Sequence, residues 1–141
     1  MAGSVALTGR VLAVFDDRDA ADRAAAAARR AGARVVERLE GVGAADAIDA
    51  TGARRGALAR LGRAVQFSVE DQMPALAWYE AALRGGRVVL AVPTSGRDQT
   101  LAVVAAFEAA GGHFINRFGR LDTEEFARWR GPEPTVSELL R

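Results

Sequence analysis

Two uninterrupted apolar runs, Val11–Phe15 and Val88–Val92, dominate the pattern along the chain. Runs of this length without polar alternation are expected of strands buried on both faces. Arg34–Leu39 and His113–Leu121 mix polar and apolar positions, as edge strands do. A helical pattern separates the members of each pair. In the first, Ala20, Ala24, Ala27, Ala28 and Ala31 share one face; in the second, Leu101, Val104, Ala105 and Phe107 supply the apolar side. Asp19 and Asp98 fit N-cap or first-turn positions, where a carboxylate meets free N–H groups and the positive end of the helix dipole. Gly32 and Gly111 fit the position after the C-cap, which favours a left-handed residue.

The two halves repeat each other. Val11-Leu12-Ala13-Val14 recurs as Val89-Leu90-Ala91-Val92, and an Arg-Asp pair, Arg18-Asp19 or Arg97-Asp98, stands where each helix begins. The expectation is a ferredoxin-like α+β sandwich built from two βαβ repeats, 10–40 and 87–121, with strand order 4-1-3-2 and a helical insert over 41–86. These form one domain over 1–130, followed by a Pro/Gly linker and tail over 131–141. In the insert, one helix is predicted over Ala53–Gln66, weakened by Gly52, Gly56 and Gly62. A second is predicted from about Pro74 to Leu83, packing through Trp78, Tyr79 and Leu83. Two repeat helices cover only one sheet face. The other must be covered by the insert or by a second subunit, and a symmetric homodimer is the economical solution.

Composition narrows the chemistry. The 141 residues, half of them hydrophobic, suit a single domain with an ordinary core. Without cysteine, thiol catalysis and Cys-ligated metals are excluded, and the single histidine rules out a multi-histidine site within one chain. Every basic residue is arginine, and 19 of them balance 18 acids, so no strong field favours polyanions. The central strands offer no row of aromatics for stacking bases, so neither fact points to nucleic acid. No apolar stretch is long enough to span a membrane. Met1 to Thr8 lacks the charged and apolar regions of a signal peptide, so a cytoplasmic protein is expected.

Three stretches carry a kinship: Val14 to Ala21, Trp78 to Val92 with its Tyr79-Glu80 and Leu83-Arg84-Gly85-Gly86, and Ala109 to His113 followed by Phe118-Gly119. Over residues 10 to 126 the chain resembles the general stress protein 17M-like family. The resemblance implies a small bacterial stress-associated domain, and it brings no catalytic residue, cofactor or metal ligand to carry over.

Candidate chemistry is sparse. Ser95, Gly96 and Arg97 at the start of a helix could cradle an anion on free N–H groups. His113 could act as an acid–base group or ligand near Asn116 or Arg117, although its alignment with Arg34 suggests a surface or interface residue. Asp16, Asp17 and Asp19 suit oxygen ligation of a cation, but turn and cap roles explain them more simply. Trp78 and Tyr79 suit either a pocket or the core. In the tail, Val136, Leu139 and Leu140 form one apolar edge for docking a protein partner. That segment resembles the C-terminal signals that load cargo into encapsulin shells, with Ser137-Glu138-Leu139 where those carry Gly-Ser-Leu.

The leading expectation is a non-enzymatic homo-oligomeric stress-associated or regulatory module without a cofactor. The alternatives are a small-metabolite or anion binder, or an enzyme, with a pocket at the insert/sheet or dimer interface, and a protein that docks through its tail. An enclosed His113 with a carboxylate partner, or an anion at Ser95–Arg97, would favour the first alternative.

Overall fold

The computed structural model describes residues 8–50, 66–119 and 123–133. Among these residues five strands and four helices run in the order β1 (Arg10–Phe15), α1 (Arg18–Arg30), β2 (Glu37–Glu40), α2 (Gly41–Ala50), α3 (Gln66–Arg84), β3 (Val88–Pro93), α4 (Arg97–Ala109), β4 (His113–Phe118) and β5 (Thr123–Ala127). The chain is an α+β fold around one antiparallel sheet of order β2-β3-β1-β4-β5. The two apolar runs are its central strands, and Val11 to Phe15 are fully buried.

Local chemistry sets the helix ends. Asp17 rather than Asp19 is the N-cap of α1, its carboxylate accepting from the Ala20 N–H at 2.8 Å; Asp19 and Asp98 stand in the first turns of α1 and α4. Gly32 and Gly111 follow the C-caps Ala31 and Ala110 with φ of 104° and 90°, a conformation that costs glycine nothing.

The buried faces differ slightly from the sequence expectation. In α1 Ala20, Ala21, Ala24, Ala25 and Ala28 are buried, while Ala27 and Ala31 are half-buried. In α4 Thr100 and Val103 join Val104 and Phe107 against the sheet, whereas Leu101 and Ala105 are exposed. The sequence pattern sets the apolar arcs about one residue out of phase with the buried faces, because small residues lie on every side of both helices.

Alternate residues of the central strands feed two cores. Val11, Ala13, Phe15, Val88, Leu90 and Val92 pack with α1 and α4. Leu12, Val14, Val89 and Ala91 pack instead with Ala45 of α2 and with Leu76, Tyr79, Ala82 and Leu83 of α3. The insert therefore covers the second sheet face, and the argument for a second subunit from a bare face no longer applies. Helix α3 begins at Gln66, well before Pro74. The helix expected over Ala53–Gln66 falls almost wholly outside the described residues, and so do Val136, Leu139 and Leu140.

Strand β5 is the element the hydrophobic pattern missed. Its sequence, Thr123-Glu124-Glu125-Phe126-Ala127, reads as polar, yet it pairs antiparallel with β4 and makes β4 an interior strand. Beyond it, the Trp129 indole N–H donates to the Pro132 carbonyl at 3.0 Å, so the expected linker begins in a tethered turn.

Candidate functional site

Strand β4 carries an irregularity that shapes everything near it. Leu12 pairs with Asn116 while Val14 pairs with His113, so a two-residue step on β1 spans three residues on β4. The extra residue makes a bulge, which bends the strand and re-aims its side chains. Phe114 sits within it at φ 47°, the one non-glycine residue with positive φ among those described. For a bulky side chain this conformation is strained and needs support from its surroundings.

Tyr79 supplies the support. Its hydroxyl lies 2.6 Å from the Phe114 carbonyl and 3.1 Å from that of Leu12, both acceptors that the bulge leaves near the helix. The phenol proton goes to the closer carbonyl, and its oxygen accepts from the Asn116 side-chain N–H at 2.9 Å. Burial pushes the Tyr79 hydroxyl well above its ordinary pKa, against the hydrogen bond from Asn116; the Glu125 charge adds to the rise.

The re-aimed Phe114 ring completes an aromatic cluster. It stacks on Trp78 with centroids 5.4 Å apart, meets Tyr79 at 5.0 Å, and contacts Trp129 edge-on at 5.8 Å. Trp129 also meets Trp78 edge-on at 5.2 Å. Such tilted and offset pairs contribute beyond the area they bury. The cluster joins α3, β4 and the segment after β5.

Beside it opens a cavity of about 580 Å³. Trp78 and Ala75 contribute from α3, Phe114 and Asn116 from β4, Thr123 and Glu125 from β5, and Arg128, Trp129 and Glu133 from the segment beyond. The size is ordinary for a small-molecule site, as is the combination of aromatic walls with a few polar groups. Among the described residues the Thr123 hydroxyl is buried without a hydrogen-bond partner. Native proteins rarely leave a buried polar atom unpaired without a reason.

His113 is not the surface residue that its alignment suggested: it is 1 % exposed. Its Nε2 lies 2.7 Å from Asp16 Oδ1, and its Nδ1 accepts from the Arg130 backbone N–H at 3.1 Å. An amide donor at Nδ1 leaves the proton on Nε2, which donates to the carboxylate. Asp16 is also bound by Arg87 at 3.1 Å, and the Arg87 guanidinium lies 5.2 Å over the Trp129 ring. Burial alone would raise the Asp16 carboxyl, but its interactions with His113 first and with Arg87 second outweigh it and hold it below its ordinary value. The enclosed histidine with a carboxylate partner is thus present, but both ring nitrogens are occupied and the ring does not line the cavity. Its partner is Asp16, not Asn116 or Arg117. The pair is a clamp between the end of β1, the start of β4 and the segment after β5.

The Ser95–Arg97 site is closed by the chain itself. The Ser95 N–H donates to Gln99 Oε1 at 2.7 Å, and Arg97 reaches both carboxylate oxygens of Glu124 at 2.7 Å. Gly96 is the N-cap of α4 without a side-chain cap. Ser95 lines a second cavity of about 510 Å³ with Arg34, Val35 and Gln99, but the proposed anion donors Ser95 N–H and Arg97 are already engaged. The three aspartates likewise divide their work: Asp16 pairs, Asp17 caps, and Asp19 lies in the first turn. No group of three metal-ligating side chains occurs among the described residues.

Of the aromatics singled out from sequence, Trp78 lines the cavity while Tyr79 is core. Asn116, Thr123, Glu125 and Trp129 were not identified as lining residues. One signal could have drawn attention to Trp129: it is one of two tryptophans in the chain, set in an otherwise polar stretch. No protein-family model, no curated protein and no solved structure matches this chain.

Proposed function

We propose that the chain is a non-enzymatic binding module on a ferredoxin-like frame, of the stress-associated kind its motifs resemble, and that its ligand is a small molecule held between α3 and the β4–β5 edge. The frame is supported by the order of the first four strands, which reads 4-1-3-2 from one side with β5 added beside β4. The ligand reading rests on the cavity, where an unpartnered buried hydroxyl, Thr123 Oγ1, stands among aromatic walls. Strain at Phe114 fits the same reading, since strained backbone gathers at binding sites. A binder rather than a catalyst is favoured because His113 spends both nitrogens on the fold and its carboxylate partner is tied to Arg87.

Native mass spectrometry of the protein taken gently from its own cells, before and after denaturation, tests this function. A reproducible small-molecule adduct is expected on the wild type. It should be absent from a cavity-filling Ala75→Phe variant that keeps the wild-type unfolding midpoint. A wild type that runs at its bare chain mass, or an adduct the filled variant retains, overturns the reading.

A further inference from the structure

Building on that reading, we infer that the cavity takes a planar organic cation rich in hydrogen-bond donors, such as an aryl amidinium or aromatic ammonium compound. Acceptors dominate the polar groups that face it. The Tyr79 hydroxyl spends its proton on the Phe114 carbonyl, so Asn116 must turn its N–H toward the tyrosine oxygen. That orientation turns Asn116 Oδ1 away from the tyrosine, on a side chain that is 3 % exposed and lines the cavity, and no hydrogen bond reaches it among the described residues. Thr123 Oγ1 is the fully buried unmatched atom among the described residues, and its hydroxyl can accept as well as donate.

The charges point the same way. Glu125 and Glu133 line the cavity and Arg128 stands with them; none of the three side chains forms an ion pair among the described residues. Two carboxylates against one guanidinium leave a net negative lining. The aromatic walls add to it, because ring faces attract cations, and Arg87 already places a guanidinium 5.2 Å over Trp129. An anionic ligand would find one arginine but face two carboxylates and an unpaired carbonyl oxygen.

Three near-isosteric probes separate the possibilities: benzamidine (cationic), benzamide (neutral) and benzoate (anionic). Trp78 and Trp129 are the only tryptophans in the chain and both line the cavity, so intrinsic fluorescence reports binding directly. Benzamidine is expected to bind about tenfold more tightly than benzamide or benzoate near neutral pH. Combining Glu125→Gln with Glu133→Gln, both at exposed positions, should remove most of that preference by weakening benzamidine far more than benzamide. A preference for benzamide or benzoate overturns the cation inference and leaves the cavity reading standing. Silence with all three probes overturns the inference too, and the mass of the protein from its own cells then decides whether the wider reading falls with it.

Discussion

The Tyr79 hydroxyl donates to the Phe114 carbonyl at 2.6 Å, fastening the inserted helix to the one strained residue of β4. Through this bond a side chain of the insert holds the backbone conformation that turns the Phe114 ring toward Trp78 and the cavity. Tyr79→Phe keeps the ring but leaves the Leu12 and Phe114 carbonyls and the Asn116 N–H short of a buried partner. A loss of about 1–3 kcal/mol is expected from urea denaturation.

The same tyrosine sets the alkaline limb of stability. Its folded pKa is raised by burial, so between the ordinary value of 10.0 and the folded one the unfolded chain has lost a proton that the native state keeps. Its contribution is therefore full below pH 10 and falls as pH rises above it. Tyr79 is the only tyrosine, so tyrosinate absorbance should appear together with unfolding rather than before it. The stability of Tyr79→Phe should decline less steeply over that range.

Replacing Phe114 by glycine sets two effects against each other. Glycine relieves a left-handed conformation worth about 1–2 kcal/mol, but it removes a ring in contact with Trp78, Tyr79 and Trp129. Deleting an aromatic side chain from packed surroundings costs about 3–5 kcal/mol. Packing wins, and Phe114→Gly should lower stability by about 2 kcal/mol on balance, read from the denaturation midpoint.

Acid should reveal the Asp16 clamp. Its carboxyl is held below the ordinary value of 3.8, so the pair with His113 and Arg87 stabilises the fold above that pH. The contribution disappears as pH falls through the lower folded value. Asp16→Asn should therefore be less stable than wild type at neutral pH, with the gap narrowing below about pH 4 in parallel denaturation series.

Two glycines should respond to alanine with opposite signs. A Cβ at Gly112 would lie 2.8 Å from both the Phe107 carbonyl oxygen and Phe15 Cε1, so Gly112→Ala must move the start of β4 or the core ring. A loss of about 1–3 kcal/mol is expected. At Gly43, within α2, a Cβ meets nothing within 4 Å and φ is not positive. Gly43→Ala should gain about 0.5–1 kcal/mol through helix propensity and a less free unfolded chain. Thermal melts of the two variants beside wild type check both signs.

Much of the architecture is local and was legible along the chain. Unbroken apolar runs mark Val11–Phe15 and Val88–Val92 as central because any strand buried on both faces must be apolar at consecutive positions. Asp19, Asp98, Gly32 and Gly111 punctuate their helices because the ends of a helix have fixed chemical needs. The tertiary structure decided what those patterns do not encode. It placed α2 and α3 over the second sheet face, where the sequence showed only that a cover was needed. It joined His113 to Asp16 across 97 positions, and paired the polar strand Thr123–Ala127 with β4. Above all it set the one-residue bulge at Phe114, on which the cavity depends. Periodicity records whether a residue is buried; register, bulges and distant partners depend on how separate segments meet, and only closure of the sheet and helices specifies that.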